Sequence, residues 1–254
     1  MTNLTKIYHA VCDALVRNLT PQKTLRGLAV MQPFLGWSSA ILLTLGLVWS
    51  LALAPPDYQQ GEAVRIMYLH VPCAWLALMI YSLMATLSAI ALIWQQNLAF
   101  LATRALAPIG AIFAFLCLLT GAIWGKPMWG TWWVWDARLT SMLILWFFYL
   151  GYLALLSASQ DPMRGERAGA ILALIGGINV PIVKYSVDWW HSLHQPASIL
   201  RLGGPRIAGE ILAPLLLMIL AMTVFFLYLF CLRLQELLIA RKIYAAGLRQ
   251  NLPS

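Results

Sequence analysis

The sequence predicts an all-α polytopic membrane protein with six transmembrane helices, and three observations carry that expectation. Of the 254 residues, 61% are hydrophobic and only 10% are charged, with a mean hydropathy of +0.77, a balance far from that of a soluble domain. Six windows of about 20 mostly apolar residues, the length needed to cross a bilayer, fall at 33–54, 70–94, 105–123, 138–158, 168–184 and 209–231. Finally, the loops between them alternate in charge. With the N-terminus in the cytoplasm, that side holds eleven basic and four acidic residues, against six basic and five acidic on the other. The positive-inside rule therefore places both termini in the cytoplasm.

The chain divides accordingly into a cytoplasmic amphipathic segment at 1–32, a six-helix domain at 33–231 and a basic cytoplasmic tail at 232–254. In the first segment Ile7, Val11, Leu15 and Leu19 recur every four residues among Lys6, Asp13 and Arg17. That spacing predicts a helix lying on the membrane surface. After the first span, Ala52 and Ala54 form an A-x-A pattern, but Pro55 follows and the span exceeds a signal-peptide core. Residues 1–54 are expected to stay in the mature protein. The net charge of +8 follows from the loop asymmetry and from anionic lipid, so nucleic acid is not expected as a partner.

The second span opens on "YLHVPCAW", with His70 at the interface and Pro72 expected in the first turn, where a missing amide hydrogen costs nothing. The third span ends in "WGKPMWGTWWVWDARLTS". That stretch packs Trp124, Trp129, Trp132, Trp133 and Trp135 into twelve positions, with Asp136 and Arg138 behind them. Gly125, Pro127 and Gly130 predict an irregular outer loop over 124–136, which is tolerated near a bilayer only where it is buried in protein or lines a cavity. The fifth span carries Gly176, Gly177, Asn179 and Pro181 and is barely long enough to cross. Small residues there suit either close helix packing or a transport path, and packing is the simpler reading. Before the sixth span, "WWHSLHQP" holds His191 and His194 one helical turn apart.

The chemistry-bearing residues are segregated. His70, His191 and His194 all fall on the outer side, whereas His9 lies in the N-terminal tail. Isolated tryptophans such as Trp37, Trp49 and Trp94 fit an aromatic belt. Seven of the twelve, however, sit in two outer loops, Trp189 and Trp190 joining the five above. The four cysteines offer no C-x-x-C or C-x-x-C-H spacing, which excludes a covalent c-type haem site and a zinc knuckle. Walker, G-x-S-x-G and H-E-x-x-H patterns are missing as well.

The pattern implies an outer pocket with flat apolar walls, imidazoles and a few cations. Haem fits it: imidazole is a common axial ligand, indole stacks on porphyrin, and propionates seek Arg or Lys. Arg138, Arg65, Lys126, Arg201 and Arg206 are the candidate propionate partners. Quinone is compatible with the same walls. A mononuclear metal fits less well, for lack of clustered His, Asp and Glu.

Residues 129–136 match W-G-x-x-W-x-W-D, the WWD signature of haem-handling proteins. Together with "RIMYLHVPCAW" and "KYSVDWWHSLHQP", the chain resembles the cytochrome c maturation protein C family (CcmC, haem exporter protein C) over nearly its whole length. The resemblance implies a protein of the bacterial inner membrane, and not an enzyme in the usual sense. It would present haem b at the periplasmic face and deliver it to the haem chaperone CcmE, where a covalent bond forms to a chaperone histidine. CcmA and CcmB, subunits of an ABC transporter complex, act with CcmD to release the loaded chaperone. Carried over by motif, the axial ligands of the haem iron are His70 in "HVP" and His194 in "LHQ". Trp124, Trp129, Trp133, Trp135 and Asp136 match the signature that contacts haem or chaperone.

At His191 the chain departs from the expected family residue, and His194 is preferred as the second ligand. The two ligands would come from different outer loops and bind the iron from opposite faces. Asp136 would serve the haem, pair with Arg138 or accept indole N–H bonds. Other readings of the same signature are a haem-translocating channel, a lyase-type synthetase and a purely structural subunit.

Overall fold

The computed structural model describes residues 20–190, 194 and 207–250. The expected surface helix at the N-terminus lies outside the described residues, as do His9, His191, Arg201 and Arg206. Among the described residues six helical stretches are long and apolar enough to cross a membrane: Pro21–Leu53, Glu62–Trp94, Asn97–Trp129, Ala137–Ala158, Pro162–Trp189 and Gly209–Ala246. Among the described residues no strand occurs beyond one isolated bridge between Asp57 and Gly61.

The spans cover their apolar windows to within one residue, and most reach past them. Helix α1 (Pro21–Val48) starts at Pro21 rather than 33, because Thr20 caps the Lys23 amide at 3.4 Å and Pro21 is preset for the first helical position. It runs on through one π-helical turn, Trp49–Leu53. A 3₁₀ turn at Glu62–Ile66 leads into α2 (Met67–Trp94). Helix α3 is Asn97–Trp129, and α4 is Ala137–Ala158. The last helix, α7 (Gly209–Gln250), has 42 residues. At 1.5 Å per residue that is about 63 Å, twice the hydrocarbon thickness, so one end of α7 projects beyond the bilayer.

The fifth crossing is made of two helices, α5 (Pro162–Gly177) and α6 (Asn179–Trp189), and spans 28 residues rather than the short window expected. The chain steps between them at Ile178, just before Pro181, whose missing amide cannot continue the hydrogen-bond ladder. Buried Asn179 donates to the Ser141 carbonyl of α4 at 2.8 Å, tying the step to its neighbour. A Cβ on Gly176 would fall 2.1 Å from Tyr81 Oη. The small residues of this span therefore serve close packing.

Helix α2 packs on α3 and α5, α1 on α7, and α4 on α3, α5 and α6. Packing and internal hydrogen bonds hold such a bundle, since lipid is as apolar as leucine. Fully buried Tyr149 donates to the Ala77 carbonyl at 2.8 Å, and Tyr81 meets its ring edge-on at 4.8 Å. The bundle has two distinct ends. Thr20, Asn97 and Arg241 line one cavity at the first. At the other, Arg65 reaches the Leu51 carbonyl and Trp124 reaches Gln60. The tryptophan run belongs to this second end.

Candidate functional site

Helix α2 places His70 on its fourth residue, inside a helix rather than in a loop. Pro72 stands in the second turn of α2, not the first, because the preceding 3₁₀ turn starts the helical path at Glu62. The imidazole lies against α3. His70 Nδ1 is 3.1 Å from the Cys117 carbonyl oxygen and 3.1 Å from Thr120 Oγ1. A carbonyl only accepts, so Nδ1 carries the proton. The Thr120 hydroxyl spends its own hydrogen on the Leu116 carbonyl at 2.6 Å, which leaves it an acceptor for His70. The lone pair of this ring is therefore on Nε2. Gly121 makes room for it: a Cβ there would sit 3.0 Å from His70 Cε1. Trp124 closes the edge, with ring centroids 5.6 Å apart and planes at 67°.

The tryptophan run is less irregular than its glycines and prolines suggested. Gly125 and Pro127 lie inside α3, which continues to Trp129. A proline in the last turn breaks one hydrogen bond, and the helix tolerates it. The true break is Gly130, at φ 77°, whose amide closes on the Lys126 carbonyl at 3.0 Å. Lys126 Nζ returns to the Gly130 carbonyl at 3.0 Å. Only residues 130–136 form the loop. Inside it Thr131 hydrogen-bonds Trp133, and Trp133 meets Trp135 edge-on at 5.4 Å. The Trp133 indole nitrogen is buried and has no hydrogen-bond partner among the described residues. Trp135 is 76% exposed and Trp132 57%. On the α2 side Asp57 holds a turn that presents Gln60, which accepts the Trp124 indole N–H at 3.0 Å.

Asp136 lies close enough to Arg138 for its charge to act on the guanidinium, and its two oxygens make two further contacts. One carboxylate oxygen caps α4 by accepting the Leu139 amide at 2.8 Å. The other accepts from His194 Nδ1 at 2.6 Å. The carboxylate is 5% exposed, and the imidazole 17%. Any metal bond from His194 is consequently made through Nε2, as for His70. Trp129 stands edge-on to the His194 ring at 4.7 Å. Burial holds the His194 imidazole below the ordinary histidine value, and the pull of Asp136 in the other direction does not overcome it. Burial thus favours the neutral ring, the form that ligates metals.

The structure thus joins His70, Trp124, Trp129, Asp136 and His194 at one end of the bundle. Arg138 sits beside them, close enough for its charge to act on both imidazoles, and donates to the Lys184 carbonyl at 3.4 Å. Arg65 is taken up elsewhere: it pairs with Glu62 and caps the Ser50 and Leu51 carbonyls of the π-helical turn. Lys126 keeps two of its three donors beyond the Gly130 bond. Sequence reasoning missed the seat that α3 provides for His70 through Cys117, Thr120 and Gly121. It also missed Gln60 and the link from Asp136 to His194. The cap was legible, since Asp before an apolar helical run is a start signal; a backbone carbonyl has no such signal.

The residues suit a planar, metal-bearing, apolar ligand. Two imidazoles have Nδ1 held by protein acceptors, indoles meet both rings, and the charge of Arg138 acts on both.

Comparison with known proteins gives one consistent family. A family model described as Heme exporter protein C matches residues 15–249. The chain is 49% identical over 230 residues to Heme exporter protein C of Bradyrhizobium diazoefficiens, covering 91% of this chain and 87% of that one. Over 235 residues it is 47% identical to Heme exporter protein C of Haemophilus influenzae, covering 91% and 96%. It is also 49% identical over 162 residues to a putative cytochrome c biosynthesis ccmC-like mitochondrial protein of Marchantia polymorpha, covering 64% and 68%.

Proposed function

Because this chain belongs to the Heme exporter protein C family, we propose that it handles haem for cytochrome c biogenesis: it binds haem b at the periplasmic face of the bacterial inner membrane and delivers it to the chaperone CcmE. CcmA, CcmB and CcmD are its partners in that membrane, and the tryptophan-rich end of the bundle faces the periplasm. Haem is cargo here rather than a resident cofactor.

One observation carries the reading. Two histidines from different elements have Nδ1 committed to protein acceptors, so that both are preset as Nε2 donors at the same end of the bundle. Metal-ligating histidines almost always hold their other nitrogen in this way. His70 and His194 are the axial ligands. Trp124 and Trp129, which touch those two imidazoles edge-on, hold the rings in orientation and exclude water from them. Trp133 and Trp135 extend the apolar wall toward solvent. Asp136 fixes the tautomer of His194, and Arg138 and Lys126 supply positive charge for the propionates. Edge-exposed indoles leave one side of the cargo open to the acceptor protein.

The test is spectroscopic. Protein purified from haem-replete bacterial membranes should carry a Soret band, and replacing Trp129 or Trp133 by Ala should reduce both that band and haem transfer to CcmE. Absence of the band from the parent protein refutes the reading, whereas unchanged transfer by both variants reduces these indoles to membrane anchors.

A further inference from the structure

His70 and His194 are held by chemically different partners. His194 Nδ1 faces an anionic oxygen at 2.6 Å, in a pair whose carboxylate is 5% exposed. His70 Nδ1 divides its proton between two neutral acceptors, each at 3.1 Å. Both of those acceptors are already in use. The Cys117 carbonyl belongs to the hydrogen-bonded interior of α3, and the Thr120 hydroxyl is occupied with Leu116 at 2.6 Å. A hydrogen bond to an ionised acceptor is about twice as strong as one between neutral groups. It also pushes electron density through the ring and raises the basicity of the nitrogen that ligates. The positive charge of Arg138 acts on both rings and faces Asp136 as well.

We propose that the two histidines are unequal ligands: His194, backed by Asp136, anchors the cargo, and His70, backed by neutral acceptors, is the ligand that yields its place to an incoming nitrogen donor. This rests on the haem reading above and goes beyond it by giving the order of release. The exchange needs no oxidant or reductant. The bond to His70 Nε2 breaks as the bond to the incoming nitrogen forms, and His70 keeps its Nδ1 proton on α3 throughout. Asp136 is in this scheme a positioning residue, acting through His194.

The experiment compares the parent protein with His70→Gly, His194→Gly and Asp136→Asn, each purified in detergent, by haem-to-protein ratio and absorption spectrum. Free imidazole is the probe for an open ligand position. His70→Gly should keep its haem to within about two-fold, and imidazole should restore the parent spectrum; His194→Gly should lose about ten-fold or more, as expected of the stronger ligand. In Asp136→Asn the α4 cap is kept but the anionic acceptor is lost, so haem affinity should fall about 10–100-fold. Equal losses from the two glycine variants, or greater loss from His70→Gly, overturn the ranking while leaving the haem reading intact. If His194→Gly does not fold, Asp136→Asn decides, and an unchanged haem content there overturns the proposal. A parent protein that binds no haem overturns the functional reading itself, and the ranking with it.

Discussion

Replacing Gly121 by Ala probes the seat of His70 with the smallest possible change. The added Cβ would lie 3.0 Å from His70 Cε1 and 3.5 Å from Nδ1. Ordinary contact begins near 3.4 Å, so the imidazole must retreat by about 0.4 Å or the helices must part. Movement of that size stretches the Nδ1 contacts from 3.1 Å to about 3.5 Å, the edge of hydrogen bonding. Losing most of one such bond costs about 1 kcal/mol, within the usual range of 0.5–1.5, or about a five-fold weaker hold on the ring in its seat. The overpacking adds to this, at about 1–3 kcal/mol in a tight core. Haem content and absorption spectrum of purified Gly121→Ala protein are the assay. A changed spectrum is expected, with haem content staying within about two-fold of the parent because His194 anchors the cargo. A parent-like spectrum would refute the claim that α3 sets the ring.

Three further substitutions test the frame around the site. Glu166 is 1% exposed and pairs with Arg241, whose side chain is 38% exposed; because the arginine can turn to water, Glu166→Ala should cost about 1–3 kcal/mol, read as a lower Tm in detergent with the haem spectrum unchanged. Gly176→Ala drives a methyl into Tyr81, 2.1 Å from its Oη, and should cost about 1–3 kcal/mol, read as a lower Tm and poorer yield; a parent-like Tm would contradict the close packing of α5 on α2. Asn179→Leu removes the bond to the Ser141 carbonyl, and since interhelical bonds in membranes average about 0.6 kcal/mol, its Tm should fall only slightly.

The six crossings were legible because hydrocarbon imposes a length and a composition that few other constraints imitate. Their ends were not. Gln22, Lys23 and Arg26 read as a polar tail, yet the helix runs through them because Thr20 and Pro21 start it. Gly125 and Pro127 read as breakers, yet both lie in α3, since one lost hydrogen bond in a last turn is a small cost beside packing. At the site, residue types were visible and their pairing was not. His70 is 47 positions from the carbonyl that fixes its tautomer, and His194 is 58 from Asp136. No spacing rule spans such distances. The cavity at the opposite end, lined by Thr20, Asn97 and Arg241, left no mark in the sequence because its walls come from three separate helices.

In the proposed site His70 and His194 together hold one iron through Nε2. Low-temperature electron paramagnetic resonance of the oxidised, haem-loaded protein tests it most directly. A low-spin ferric signal from two nitrogen axial ligands is expected, lost on replacing either histidine. A high-spin signal in the parent protein, or a low-spin signal that survives both replacements, would contradict it.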